Sequence, residues 1–95
     1  MRVSVYDKDG RLLESLENVL VPRPTNYTGE LFVVYESMGF TVVSKIRREI
    51  GERETESVVA VKSGADIYMY DSVPDAILEK LGVSREKDIA KKVTV

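Results

Sequence analysis

The chain has 95 residues, a formal net charge of −2 and 32% charged residues, and neither half of it is basic. It contains no Cys, His or Trp, which excludes disulfides, thiolate nucleophiles and imidazole as a proton shuttle or metal ligand. Because no catalytic motif is recognisable either, we expect one domain over residues 1–95 with no enzymatic activity, no cofactor and no metal.

Valine dominates the apolar residues, with 15 in the chain. Its branched side chain packs well on a pleated surface, so this composition favours strands. The absence of Gln and the many Glu, Lys and Arg residues are typical of heat-adapted proteins. No run approaches the roughly 18 apolar residues of a membrane span, and the N-terminus has no signal-peptide core, so we expect a cytoplasmic protein without membrane contact.

The N-terminal twenty residues allow two interpretations. Residues 2–6 alternate as in a strand, and Asp7–Gly10 has the composition of a turn. From residue 11 to 20 the apolar spacing favours a helix, although a hairpin across the turn remains an alternative. The apolar residues with this spacing are Leu12, Leu13, Leu16, Val19 and Leu20.

The middle of the chain is rich in strand signals. The apolar run over residues 31–35 predicts a central strand covered on both faces. After a turn at Met38 and Gly39, residues 40–50 are interpreted as a strand, although the part over 44–50 also has helical periodicity. Residues 57–62 predict another strand, followed by a turn and a strand over 67–70 with Tyr68 and Tyr70 on one face.

The strands on either side of Gly51 are expected to form a hairpin. A three-residue loop over 51–53 avoids placing two glutamates opposite each other. This loop predicts three cross-strand pairs, which are Arg48 with Glu56, Ile46 with Val58, and Val43 with Val61.

The C-terminal region carries the clearest helix signal. Ser72, Pro74 and Asp75 form a capping pattern, and Gly82 is a stop signal. A second short helix over 85–92 and an edge strand over 93–95 are also predicted. The resulting fold class is α+β, with a mainly antiparallel sheet of about four to five strands, an N-terminal helix (or hairpin) and one or two C-terminal helices packed on it.

Two groups of carboxylates are candidate chemical sites. Glu49, Glu52, Glu54 and Glu56 alternate with arginines, which indicates a solvated, ion-paired loop more than an acid–base pair. Asp66, Asp71 and Asp75 could hold Mg²⁺ or Ca²⁺, but we interpret them as turn and cap residues.

The leading functional hypothesis is a small binding or accessory domain that acts through its sheet face or edge. Its partner would be another protein or a second copy of the chain, as a homodimer. The alternative hypothesis is a nucleic-acid-binding module, because aromatic rings on a sheet flanked by cations can stack bases and hold phosphates. The residues predicted for that role are Tyr35, Lys45, Arg47, Arg48, Tyr68 and Tyr70.

Overall fold

The structure, a computed structural model, describes residues 1–17, 27–51, 53–82 and 91–92. These residues form a seven-stranded sheet with the order β2-β1-β3-β4-β5-β6-β7 and one short helix. The elements are β1 (Arg2–Asp7), β2 (Leu12–Glu17), β3 (Gly29–Ser37), β4 (Phe40–Arg48), β5 (Thr55–Ser63), β6 (Asp66–Met69), α1 (Asp75–Lys80) and β7 (Lys91–Lys92).

All neighbouring strands from β2 to β6 are antiparallel, and only the pairing of β6 with β7 is parallel. Short turns join β1 to β2, β3 to β4 and β5 to β6, as expected for antiparallel neighbours. The helix α1 lies in the connection between β6 and β7, which is where a parallel pair requires a longer crossover.

The predicted fold class is wrong in its balance of helix and strand. The described residues form a mostly antiparallel sheet of more strands than predicted, with a single short helix. The helix predicted over residues 11–20 is wrong, because residues 12–17 form β2 and pair with β1 in the hairpin that was the alternative. The predicted second helix and terminal strand fall mainly outside the described residues, and the described pair 91–92 is extended.

The strand predictions in the middle of the chain are confirmed. Four consecutive residues of β3, 31–34, are buried, as expected for a central strand covered on both faces. Strand β4 extends to Arg48, so the helical periodicity over 44–50 does not give a helix. Met38 and Gly39 form the two-residue turn between β3 and β4, and Gly39 has a φ of +74°.

The predicted register between β4 and β5 is wrong. Ile46 lies opposite Glu56, whereas Val43 lies opposite Ala60. The register shifts between these pairs because Val59 is an extra residue on β5, a β-bulge. Val59 and its neighbour Ala60 are both buried in the same cluster, so the alternation of the strand is interrupted there.

The core lies on both sides of the sheet. On the side that faces α1, here called the helix side, buried residues of β1, β3, β4, β5 and β6 pack with Val73, Ile77, Leu78 and Leu81. The opposite side, here called the far side, has a second buried cluster on β1, β3 and β4. Its members are Val3, Val5, Leu31, Val33 and Ile46, with Leu13, Tyr27 and Tyr35 packed against them.

Three further contacts join α1 and its ends to the sheet, in addition to this packing. Lys62 on β5 donates a hydrogen bond of 2.8 Å to the carbonyl of Leu81, at the C-terminal end of the helix. The ammonium of Lys80 lies 5.1 Å from the ring centroid of Tyr6, within cation–π distance. Gly10, in the turn between β1 and β2, lies beside the first residues of the helix.

The helix begins differently from the prediction. Its N-cap is Pro74, and no side chain caps it, so the predicted capping role of Ser72 is wrong. The backbone N–H of Ser72 donates instead to the carboxylate of Asp71, at 2.7 Å. The predicted stop is confirmed, because Gly82 follows the helix with a φ of +78°.

Candidate functional site

A row of four side chains crosses the far side of the sheet from β3 to β6. Tyr35 lies opposite Val42, Val42 opposite Val61, and Val61 opposite Tyr68. Directly opposite residues of an antiparallel pair share a face, with Cβ atoms about 5 Å apart. The row therefore has two central valines with one tyrosine at each end.

Two exposed residues extend this row along the strands. Phe40 precedes Val42 by two residues on β4, and Val58 lies opposite the buried Ser44. Phe40 is 45% exposed and Val58 is 47% exposed, whereas the four residues of the row are half-buried. The six residues together are called the valine–tyrosine surface, defined as Tyr35, Phe40, Val42, Val58, Val61 and Tyr68.

A hydrogen bond joins Tyr35 of this surface to the neighbouring strand β5. The hydroxyl of Tyr35 donates a hydrogen bond of 3.0 Å to the carboxylate of Glu56 on β5. The pKa of Tyr35 is raised well above its ordinary value. The largest cause is burial of the phenol, and the hydrogen bond to Glu56 and the negative charge of Glu56 add to it. Tyr35 therefore remains neutral at physiological pH, and it supplies an apolar ring with its hydroxyl already bonded.

Two of the three tyrosines of the nucleic-acid hypothesis lie on the same side of the sheet. Tyr35 and Tyr68 are both on the far side, at the two ends of the row. Tyr70 follows β6 and is 42% exposed, and its backbone N–H donates to the carbonyl of Val59. The structure therefore places Tyr35 and Tyr68 on one side of the sheet and leaves the ring of Tyr70 exposed beyond the end of β6.

The cations of the same hypothesis are not grouped with the tyrosines. By alternation along β4, Lys45 and Arg47 lie on the helix side, and only Arg48 lies on the far side. Each cation also has a carboxylate partner. Lys45 contacts Glu30 at 3.3 Å, Arg47 contacts Glu49 at 3.2 Å, and the Nε of Arg48 donates to Glu54 at 2.9 Å.

Several carboxylates of the two candidate groups have partners in ion pairs or in a turn. The ion pairs of Glu49 and Glu54 with arginines confirm the predicted ion-paired loop, while Glu52 lies outside the described residues. Within the described ranges, no three carboxylates are grouped as metal ligands would be. The carboxylate of Asp71 accepts the hydrogen bond from Ser72, as in a turn.

An open cavity of 520 Å³ lies beside the turn between β1 and β2. The carboxylate of Asp7 accepts hydrogen bonds from the backbone N–H groups of Asp9 and Arg11, both at 2.9 Å. The bond from Arg11 is the main cause that lowers the pKa of Asp7. The hydroxyl of Tyr27, also in the lining, donates to the carbonyl of Leu13 at 3.3 Å. These two groups serve the turn and the hairpin, so we do not assign a binding role to the cavity.

The sequence alone did not identify four members of the valine–tyrosine surface. Phe40, Val42, Val58 and Val61 are ordinary strand residues, and their apolar runs indicate core positions more than exposed ones. The solvent exposure of these four side chains depends on how the strands are arranged in the sheet, which a local sequence pattern does not show.

Comparison with protein families, with curated proteins and with solved structures found no match to this chain. Within the part of the chain that the structure describes, no helix has the length and apolar character needed to cross a membrane.

Proposed function

We propose that this chain is a non-enzymatic binding domain that acts through the valine–tyrosine surface. One observation carries the proposal: adjacent strands β3 to β6 present contiguous apolar side chains on the side of the sheet opposite α1. Single exposed apolar residues are common on monomers, but contiguous apolar patches often mark binding sites. Phe40 and Val58, each almost half exposed, would lose the most solvent contact when a partner binds.

The composition of the surface favours a protein as the partner. Aromatic side chains are enriched at the centre of protein interfaces, and charged residues are depleted there. The six defining residues include three aromatic rings and no charge, and the carboxylate of Glu56 accepts a hydrogen bond from Tyr35. The partner is another protein or a second copy of this chain.

A charged substitution at an exposed position of the surface tests this proposal. Val58→Lys places a charge on the surface at a side chain that is already 47% exposed. Ile50→Lys is the matched control, because Ile50 is 93% exposed and lies in the loop after β4, outside the surface. Both should change the free energy of unfolding by no more than about 0.5 kcal/mol. The wild type and both variants are immobilised and exposed to an extract of the cells that produce the chain, and the retained proteins are quantified by mass spectrometry.

The expected result is a protein that the wild type and Ile50→Lys retain and that Val58→Lys loses. Self-association of the purified chain with the same sensitivity to Val58→Lys would also support the proposal. If neither capture nor self-association differs between the two variants, the proposed role of the surface is overturned.

The homodimer is the finer part of the proposal. Sedimentation velocity of the purified chain should show a dimer at high micromolar concentration, and Val58→Lys should dissociate it while Ile50→Lys does not. A strict monomer at that concentration would end the homodimer hypothesis and would leave binding to another protein in place.

Nucleic-acid binding stays a prediction as the alternative function. The separation of Lys45 and Arg47 from Tyr35 and Tyr68 onto opposite sides of the sheet makes it the weaker hypothesis. It predicts binding to mixed single-stranded oligonucleotides that weakens as salt increases. If fluorescence anisotropy at low salt shows no binding up to about 100 µM protein, the typical upper range of non-specific affinity, this alternative should be abandoned.

A further inference from the structure

We draw no further inference here: the strongest candidate, the exposed apolar patch on strands β3 to β6 of the far side, belongs to the binding site already proposed, and nothing in the structure shows which molecule covers it.

Discussion

Substituting Gly10 by alanine should destabilise the fold through two separate effects. Gly10 has a φ of +83°, and an L-residue in this left-handed region costs about 1–2 kcal/mol. A Cβ at this position would also lie 2.9 Å from the Cβ of Ala76 and 3.2 Å from the Cβ of Pro74. Forcing an extra methyl group into a packed contact costs about 1–3 kcal/mol. We therefore expect Gly10→Ala to lower the free energy of unfolding by about 2–5 kcal/mol.

Gly39→Ala is the matched control for the backbone effect. Gly39 has a similar φ of +74° in a turn, but no atom lies within 4 Å of the position of its added Cβ. Its substitution should cost only the backbone strain of about 1–2 kcal/mol. Urea denaturation followed by far-ultraviolet circular dichroism measures both changes on the same scale.

A second substitution isolates the contact between the turn and the helix. Ala76→Gly removes the nearer of the two atoms, so it should cost less in the Gly10→Ala background than in the wild type. The expected coupling is about 0.5–3 kcal/mol, the range for residues in contact. Equal losses for Gly10→Ala and Gly39→Ala, with no coupling to Ala76→Gly, would refute the packing of this turn against α1.

Three further predictions test other contacts. Ile77 on α1 is 1% exposed, so Ile77→Ala should lower the free energy of unfolding, measured in urea, by about 2–5 kcal/mol. The control Ile50→Ala should change it by less than about 0.5 kcal/mol. Similar values for the two variants would contradict the helix-side core. Lys62→Met should cost about 1–2 kcal/mol in the same assay by removing the hydrogen bond to the end of α1, and an unchanged midpoint would contradict that bond. In an alkaline titration by ultraviolet absorbance, Tyr35 should ionise above the ordinary tyrosine pKa of about 10, and Glu56→Gln should lower the Tyr35 pKa. Because folding raises this pKa, the associated stability is complete below about pH 10 and is lost as the pH rises through the folded-state pKa.

The elements that could be predicted from the sequence are those with redundant local signals. Residues 31–35 of β3 form a short, β-branched and aromatic apolar run, as expected for a strand buried on both faces, and Gly39 supplies the positive φ of the following turn. The strand over 67–69 places Ile67 and Met69 against the helix-side core, as its alternation predicts.

The prediction failed at β2 because a bulge imitates helical spacing. Leu16 lies opposite Val3 and Glu14 lies opposite Val5, but the next pair is Leu12 with Tyr6. Leu13 is therefore an extra residue on β2. Leu13 packs against the far-side cluster that includes Val3. Two leucines three residues apart therefore share a side, a spacing that otherwise indicates a helix.

The bulge at Val59 explains why the candidate site could not be derived from the sequence. With regular alternation from Val61, Val59 would lie on the far side, and Val58 and Glu56 would lie on the helix side. The extra residue reverses this for the first half of β5, so that Val58 joins the exposed surface and Glu56 comes within 3.0 Å of the Tyr35 hydroxyl. Both features depend on the position of one unpaired residue within the run Val58–Val61, and four consecutive apolar residues do not show which of them is the extra one. A regular register would place Glu56 on the opposite side from Tyr35, so the contribution of Glu56 to the raised Tyr35 pKa depends on the bulge, whereas the larger contribution comes from burial of the phenol.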